Sequence, residues 1–224
     1  VRRWLINQPK EVPQKKEPHY KVKFSFTPYK LQREILDYLD GKRRNAYGGK
    51  YRFLVAVLGR QSGKSWLARY TLLDRAVNRK QNCIWVAPAI TSARTHWNKL
   101  VNLIKKSGIP TKKINQASKE IHFYGGGTIS IRSAIEPDNI RGDGLDFIVL
   151  DEAAFFRNGF YVWSQVIMPM ITATGGSVLF TTTPDGRNWV YDIFRQGQDP
   201  NNKFYKSWQI PSTESPYQDK EMLA

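Results

Sequence analysis

The sequence predicts a three-layer α/β domain with a mainly parallel central sheet. Two observations lead to this fold class. Short apolar segments rich in β-branched and aromatic residues recur along the chain, and longer stretches with helical spacing separate most of them. Strands that alternate with helices form a parallel sheet with helices on both faces. A chain of 224 residues can bury one such core with modest appendages.

The helices are predicted from start signals and from apolar spacing near 3.6 residues. The segment after Pro28 opens a helix that extends to Leu39. Thr91 is expected to cap a helix that runs to about Lys106. Further helices are predicted at residues 63–79, 160–170 and 188–195.

The strands are predicted from short apolar runs bounded by turn residues. Residues 119–124 and 128–133 alternate apolar and polar side chains around three consecutive glycines, which is typical of a β-hairpin. The remaining strands are predicted at residues 51–58, 83–87, 146–151, 177–182 and 203–208.

Charge and composition narrow the classes of partner. The net charge of +16 predicts attraction to polyanions, with nucleic acid as the leading candidate. We expect neither a signal peptide nor a membrane span, because no apolar run approaches the ~20 residues that a span requires. The single cysteine, Cys83, excludes an intrachain disulfide and a cysteine-based zinc site, and it fits a reducing, cytosolic setting.

Residues 54–65 carry the strongest functional signal. An apolar strand leads into a small-residue turn, a Gly-Lys-Ser triplet and helix-forming residues, which is the layout of a phosphate-binding P-loop. Lys64 would reach the β- and γ-phosphates, and the Ser65 hydroxyl would bind Mg²⁺. The first glycine of the usual pattern would fall on Leu58, and Gly59 lies one place later. The alternative is a glycine-serine turn with a surface lysine.

A buried strand that ends in two acids is the second signal. Four apolar residues precede Asp151 and Glu152. Two carboxylates are costly inside an apolar core, but at the carboxyl edge of a parallel sheet they face the ligand crevice. Asp151 would hold Mg²⁺ with Ser65, and Glu152 would orient and deprotonate the attacking water. The alternative is a strand that ends in solvated acids.

Five segments, in order along the chain, resemble the N-terminal ATPase domain of the large terminase subunit of tailed phages, the DNA-packaging motor. The resemblance covers roughly residues 26–216. It implies a P-loop ATPase of the RecA-like class that places a catalytic glutamate after the Walker B aspartate. The segments are residues 28–32, 58–65, 85–89, 140–142 with 150–154, and 181–186 with 188–189.

The resemblance implies ATP and Mg²⁺ as cofactors and an adenine-recognition role for residues 28–32. Gln32 carries a donor and an acceptor and could read the adenine edge, with Tyr29 stacked on the ring; the alternative is an ordinary helix start.

Arg60 would stabilise the γ-phosphate in cis, unless it is a solvated loop residue. The nucleotide-binding set is then Tyr29, Gln32, Gly59, Arg60, Gln61, Ser62, Gly63, Lys64 and Ser65, and the catalytic set is Lys64, Glu152, Arg60 and Arg141.

Arg141 lies in a turn-rich loop at residues 138–144. From such a loop it could reach the γ-phosphate of a neighbouring subunit, and arginine fingers of this kind contribute roughly 10³–10⁵ in kcat. The resemblance supports this role, and a ring assembly would require it. The alternative is a local ion pair with Asp138 or Asp143.

The end of the strand at residues 177–182 is the candidate coupling element. Hydroxyl groups near the γ-phosphate can sense its presence and relay its loss to the following helix. The alternative is a run of β-favouring residues with a proline stop. The coupling residues are Thr181, Thr182, Thr183 and Pro184.

Basic residues near the predicted hairpin are the candidates for DNA contact. Loops and hairpins at one edge of the domain could line a pore and contact phosphates without reading sequence. The alternative is a solvated basic face. The candidates are Lys105, Lys106, Lys112, Lys113, Lys119 and Arg132.

The expected organisation is a basic arm at residues 1–25, the ATPase core at 26–194, and a lid with the start of a linker at 195–224. The linker would lead to a nuclease domain that this chain lacks, so we expect no nuclease activity.

The resemblance implies as partners double-stranded DNA, the portal protein and the small terminase subunit. It also implies a homo-oligomeric ring in the working motor, with a monomer as the alternative for the isolated domain, in the host cell cytoplasm.

Two other functions remain as alternatives. One is a fragment of a two-lobed helicase or translocase, which shares an adenine-reading glutamine and an Asp-Glu pair but needs a second lobe. The other is a non-catalytic DNA-binding or docking module with a vestigial nucleotide site. The presence of both acids and of Lys64 and Ser65 argues against the second.

Overall fold

Eight β-strands form a single sheet in the part of the chain that the structure describes. The structure is a computed structural model that describes residues 21–23, 26–142, 144–212 and 215–217. In chain order the strands are β1 (Phe53–Leu58), β2 (Asn82–Ala87), β3 (Thr111–Asn115), β4 (Glu120–Phe123), β5 (Thr128–Ser133), β6 (Phe147–Asp151), β7 (Ser177–Thr182) and β8 (Tyr205–Ile210). Their order across the sheet is β3-β4-β5-β2-β6-β7-β1-β8.

The parallel strands bring their carboxyl ends to one edge of the sheet. The five neighbouring pairs from β5 to β8 are parallel, and β4 pairs antiparallel with β3 and β5. Leu58, Ala87, Asp151 and Thr182 therefore lie at the same edge, which is where open α/β sheets bind ligands. The predicted fold class with its mainly parallel sheet is confirmed.

Helices connect most of the strands. They are α1 (Lys30–Leu39), α2 (Lys64–Leu73), α3 (Ile90–Lys106), α4 (Gly159–Tyr161), α5 (Met168–Thr174) and α6 (Trp189–Gln198). A π-helical segment continues α2 over Asp74–Asn78, and another joins α4 to α5 over Val162–Ile167. Among the described residues, no helix is both long enough and apolar enough to cross a membrane.

Strand β1 shows how the core divides into two layers. Leu54 and Ala56 pack in one apolar cluster with residues of α1, α2 and α3. Phe53 and Val55 pack in a second cluster with residues of α5 and α6. Successive side chains of a strand point to opposite faces, so a strand covered on both faces must be apolar throughout. Burial of each of the larger side chains, Phe53, Leu54 and Val55, contributes about 1.5–3 kcal/mol.

Helix α3 begins at Ile90, so the prediction that Thr91 caps it is wrong. Ala89 is the N-cap residue, and Thr91 lies in the first turn. The Ser92 hydroxyl accepts a hydrogen bond from the Ala89 N–H at 3.1 Å and donates one to the Ala89 carbonyl at 2.8 Å. The serine therefore closes the turn from inside the helix.

The two edges of the sheet differ from the prediction. The sequence pattern does not predict β3, because two exposed lysines, Lys112 and Lys113, interrupt the apolar alternation. At the opposite edge β8 pairs with the whole of β1, and the boundary expected at residue 194 falls inside α6. The chain as far as Ile210 therefore belongs to the core and not to a separate lid.

The expected arm at residues 1–25 lies outside the described residues except for 21–23. Within that short stretch Val22 is tied to the end of the segment that continues α2. Asn78 accepts a hydrogen bond from the Val22 N–H at 2.8 Å, and its amide donates one to the Val22 carbonyl at 3.0 Å. The Asn78 side chain thus holds the backbone of Val22 against the end of the segment that continues α2.

Replacing Gly197 with alanine is expected to destabilise the domain, although alanine is favoured over glycine inside a helix. A Cβ at position 197 would lie 2.7 Å from the backbone nitrogen of Ser207, so α6 and β8 would have to move apart. We expect the free energy of unfolding to fall by about 1–3 kcal/mol, measured by urea denaturation. Gly142→Ala is the control, since a Cβ there meets no atom within 4 Å. Equal stability of Gly197→Ala and the wild type would contradict this packing.

Candidate nucleotide site

The loop between β1 and α2 is packed too closely for side chains at two positions. Gly63 has a φ of 76°, and a Cβ there would lie 2.6 Å from Nε2 of Gln32 and 2.9 Å from the ring of Tyr217. A Cβ on Gly59 would lie 2.6 Å from the Cα of Ser212. Glycine allows the backbone this close approach and, at Gly63, the left-handed conformation.

Lys64 is buried and crosses the base of the loop. Its Nζ donates hydrogen bonds to the carbonyls of Leu58 and Gly59, both at 2.9 Å, and lies 3.9 Å from Oε1 of Glu152. Burial lowers the pKa of Lys64, and the carboxylates of Glu152 and Asp151 oppose that shift. The alternative of a surface lysine is therefore wrong. Leu58 ends β1 in the core, so the strand extends through the position where the usual pattern has its first glycine.

Three successive carbonyls of the loop each accept a hydrogen bond from a side chain outside it. The pairs are Ser215 hydroxyl to Gln61 carbonyl (2.8 Å), Tyr29 hydroxyl to Ser62 carbonyl (3.1 Å) and Gln32 amide to Gly63 carbonyl (3.2 Å). Because a planar trans peptide points its N–H away from its carbonyl, these bonds turn the intervening N–H groups to the opposite side. Successive N–H groups oriented in this way can form an anion-binding concavity.

Gln32 is fully buried, and its side chain contacts the loop and its own helix start. Its Oε1 accepts a hydrogen bond from the Tyr29 N–H at 3.3 Å, and its amide binds the Gly63 carbonyl. Tyr29 meets Tyr217 edge to face, with ring centroids 5.9 Å apart. The structure thus gives both residues a role in holding the loop, and adenine recognition by them stays a prediction.

Asp151 is a buried carboxylate at the end of β6. Its Oδ1 accepts a hydrogen bond from the Thr181 hydroxyl at 2.8 Å, and its Oδ2 lies 3.1 Å from Nε2 of His96. Burial raises the pKa of Asp151 to about 6, although the Thr181 hydrogen bond acts in the opposite direction. A carboxylate held in this way favours a nearby cation. The alternative of a solvated acid is wrong for Asp151.

His96 contributes to the site and was not indicated by any sequence pattern. It lies on α3, stacks on Trp85 with ring centroids 4.5 Å apart, and is mostly buried. Burial, together with the charges of Arg69 and Lys99, lowers the pKa of His96 to about 4. The imidazole is therefore neutral at physiological pH. A single histidine in an amphipathic helix carries no signal of its own, and only the packing of α3 across the sheet brings it to Asp151.

Glu152 has a backbone φ of 51°, which is unusual for a residue with a side chain. Its Oε2 accepts hydrogen bonds from the Thr183 N–H at 3.0 Å and from the Thr183 hydroxyl at 3.1 Å. The side chain is one-third exposed, so it meets solvent where Asp151 does not. Strained backbone of this kind is concentrated at functional sites.

The three threonines at the end of β7 bind the chain that follows β6. Thr181 contacts Asp151, and Thr183 contacts Glu152. The Thr182 hydroxyl accepts a hydrogen bond from the Ala154 N–H at 3.3 Å. Pro184, the fourth predicted coupling residue, follows directly and lies beside Thr182 and Ala154 in a groove that runs to α6. These contacts connect the acidic residues to the start of α6.

A cleft of about 440 Å³ opens over the loop and the acidic pair. Its volume is in the range of small-molecule sites. It brings together most of the loop and catalytic residues that the sequence indicated. The lining residues are Arg60, Gln61, Ser62, Gly63, Lys64, Ser65, Trp66, Glu152, Phe155 and Thr183.

The oxygen groups at the site fit Mg²⁺. Mg²⁺ prefers carboxylate and hydroxyl oxygens and is usually held in nucleotide sites by one or two protein groups together with phosphates. Asp151 and Ser65 supply such oxygens, and the raised pKa of Asp151 shows that its burial leaves the negative charge undercompensated. A cation held there would stabilise the ionised form.

The two candidate arginines lie in different places. Arg60 lines the cleft. Arg141 is exposed, and its Nε lies 3.3 Å from Oδ1 of Asp138, which is the local ion pair considered as the alternative. Asp143, the other candidate partner, lies outside the described residues. Within one chain the structure brings only Arg60 to the cleft.

The six basic candidates do not form a single cluster, contrary to the prediction. Lys119 and Arg132 lie at the carboxyl edge of the sheet. Helix α3 follows the carboxyl end of β2 and returns the chain to the opposite edge, where β3 begins. The exposed residues at the end of α3 and at the start of β3 therefore lie at that opposite edge. Those four are Lys105, Lys106, Lys112 and Lys113.

The guanidinium of Arg132 is committed to contacts within the domain. It donates to the carbonyls of Asn139 at 2.9 Å and Ser118 at 2.6 Å, and it pairs with Glu120 at 2.5 Å. These contacts tie β5 to the start of β4 and to the loop before Arg141. DNA contact by Arg132 would require them to break.

Asp151→Asn is expected to stabilise the protein at alkaline pH. The folded-state pKa near 6 lies above the unfolded value of about 3.9, so ionised Asp151 costs stability above pH 6 and costs nothing below pH 4. We expect a gain of about 1–3 kcal/mol at pH 8 that vanishes near pH 4, measured by denaturant titration. Asp138→Asn, which removes an exposed carboxylate outside the cleft, is the control. An equal effect of Asp151→Asn at both pH values would contradict the raised pKa.

Comparison with solved structures supports the fold. The ATPase domain of the large terminase of Thermus phage P74-26 has a TM-score of 0.67 and 25% identity, with coverage of 85% of this chain and 83% of that one. The large terminase of a thermophilic bacteriophage, solved in complex with ADP, has a TM-score of 0.61 and 20% identity. The coverage there is 86% of this chain and 47% of that chain.

Sequence comparison identifies the family. The large terminase subunit of Escherichia phage T5 is 32% identical over 174 residues, which are 77% of this chain and 38% of that protein. The one from Thermus phage G20c is 33% identical over 162 residues, 64% of this chain and 33% of that protein. The chain thus spans about a third of the length of these relatives, 38% and 33%. Residues 55–219 match the family described as "Terminase large subunit, T4likevirus-type, N-terminal". The chain therefore belongs to the terminase large subunit family.

Proposed function

We propose that this domain hydrolyses ATP to drive translocation of double-stranded DNA in a phage packaging motor. The observation that carries the proposal is the convergence of Lys64, Asp151 and Glu152 at one edge of the sheet, on a loop whose N–H groups can bind phosphate. A similar solved structure is named as an ATPase domain, and another holds ADP. Family membership also disfavours the helicase alternative.

Binding of the phosphates would use groups that the loop already orients. The N–H groups opposite the tied carbonyls would donate to phosphate oxygens. Lys64 would exchange its two carbonyl acceptors for phosphate oxygens, a short movement for a side chain already held at the base of the loop. Ser65 and Asp151 would hold Mg²⁺, which would neutralise charge on the β- and γ-phosphates. The Mg²⁺ dependence of the reaction is part of this proposal.

Glu152 is the proposed general base. Two hydrogen bonds from Thr183 fix one carboxylate oxygen, and the partial exposure of the side chain leaves it accessible to a water molecule from the cleft. A base of this kind typically contributes 10²–10⁴ to the rate. When the γ-phosphate leaves, a shift of Glu152 would move Thr183 and the chain that leads to α6.

Two arginines are proposed to stabilise the transferring phosphate. Arg60 lines the cleft and would act within its own chain. Arg141 is exposed on its loop, so it would act on the site of a neighbouring subunit in a ring. Its contact with Asp138 is solvent-exposed and weak, which allows release on assembly.

The net charge of +16 supports DNA as the polyanion that the motor moves. The exposed lysines at the edge opposite the nucleotide site are the proposed contacts for the phosphate backbone.

The portal protein and the small terminase subunit are the proposed protein partners, in the host cell cytoplasm. The proposal does not extend to DNA cleavage, which the family resemblance assigns to a separate domain.

Glu152→Gln is expected to lower the kcat of ATP hydrolysis at least about 100-fold while ATP still binds. The amide keeps the shape of the side chain but accepts no proton. Phosphate release measures turnover, and a fluorescent ATP analogue measures binding. Glu136→Gln, at an exposed glutamate outside the cleft, is the matched control. Unchanged turnover would remove Glu152 from the mechanism, and a wild-type domain that binds ATP without turnover would favour the vestigial-site module.

Arg141→Ala is expected to reduce turnover by roughly 10³–10⁵ if it acts as a finger between subunits. The specific rate of the wild type should then rise with protein concentration. Mixing Arg141→Ala chains with Glu152→Gln chains should restore part of the activity, because the second variant supplies Arg141 to the intact Glu152 of the first. A flat specific rate with no restoration would point to Arg60 acting in cis.

A further inference from the structure

The carboxylate of Asp151 is held on both oxygens by side chains from two other elements. The Thr181 hydroxyl of β7 reaches Oδ1 at 2.8 Å, and Nε2 of His96, on α3, lies 3.1 Å from Oδ2. One contact on each oxygen restricts both side-chain torsions of an aspartate. We propose that His96 is a positioning residue that orients Asp151 toward the divalent cation of the nucleotide complex. This inference rests on the proposed function of the site.

The surroundings of His96 select which nitrogen carries the proton. Its Nδ1 is buried and has no hydrogen-bond partner among the described residues. Its Nε2 faces the Asp151 oxygen. A neutral imidazole carries one N–H, and placing it on Nε2 satisfies the carboxylate. The stack on Trp85 holds the ring in the plane that this contact requires.

A neutral donor suits this position better than a cation. An arginine or lysine beside Asp151 would compensate the carboxylate charge and compete with the metal for it. Arg69, one of two basic residues whose charge acts on Asp151, donates to the Ser65 carbonyl at 2.9 Å and lies over the Trp66 ring, and the other, Lys64, donates to loop carbonyls. His96 orients the carboxylate and leaves its charge for the cation. Residues that hydrogen-bond to metal ligands orient those ligands, and their loss typically lowers metal affinity 10–100-fold.

A purely structural role is the competing explanation. His96 covers Trp85, so its removal would also disturb the packing of α3 on the sheet. A pair of polar substitutions at His96 distinguishes the positioning role from the structural role. The amide nitrogen of glutamine can occupy the place of Nε2, whereas the shorter asparagine reaches only the place of Nδ1.

The test compares His96→Gln with His96→Asn in the complex with ADP and Mn²⁺. Electron paramagnetic resonance of free and bound Mn²⁺ measures the metal affinity, and isothermal titration with ADP in excess EDTA measures nucleotide affinity without metal. We expect His96→Asn to bind Mn²⁺ about 10–100-fold more weakly than the wild type and His96→Gln to bind it nearly as well. ADP affinity in EDTA should be the same in all three proteins.

Two controls complete the experiment. Thr181→Val removes the other contact to Asp151 and should weaken Mn²⁺ binding, whereas His122→Asn, in β4 away from the site, should not. Equal Mn²⁺ affinity of His96→Asn and the wild type, or equal loss in both His96 variants, would overturn the positioning role while leaving the proposed function intact. A wild-type domain that binds no ADP would overturn the proposed function itself.

Discussion

The rest of the site depends on how the carbonyls of the loop between β1 and α2 are held. The loop is short and rich in small residues, so its own side chains cannot impose a shape on it. Hydrogen bonds from Tyr29, Gln32 and Ser215 supply that shape from both ends of the domain. Lys64 completes the set from within. Because the orientation of each carbonyl determines the orientation of the next N–H, the surface proposed to bind phosphate is shaped by hydrogen bonds from residues outside the loop.

The same edge of the sheet carries charges that the fold stabilises poorly. Burial raises the pKa of Asp151 and lowers that of Lys64, because it disfavours the charged form of each group. Such groups reduce stability and are retained where they act on a ligand. The Thr181 hydrogen bond limits the cost for Asp151, and contacts with His96 and Thr183 hold the carboxylates of Asp151 and Glu152 in place. Stability and chemistry at this site are therefore governed by the same contacts.

The sequence predicts much of this architecture, because its evidence is local. The spacing of apolar residues predicts most of the strands and helices, and the Gly-Lys-Ser triplet and the Asp-Glu pair each carry their chemistry within a few residues. It fails where long-range pairing decides. Two adjacent lysines interrupt the apolar alternation of β3, so this strand is identified only from its pairing with β4. The strand predicted at residues 203–208 pairs with β1 in the main sheet, so the segment expected to begin a lid at residue 195 belongs to the core. The error at the start of α3 is local: Ser92, and not Thr91, closes the first turn of the helix.

The sequence by itself determined the fold class, the position of the Gly-Lys-Ser loop and the position of the acidic pair, since each depends on residues that are neighbours in the chain. Only the tertiary structure decided which side chains surround them. His96 meets Asp151 across 55 positions of sequence, and Ser215 meets Gln61 across 154. It also placed the basic residues at two opposite edges of the sheet, because α3 returns the chain to one edge and β3 carries it back to the other. Contacts of this kind depend on how the layers pack, and no local pattern encodes them.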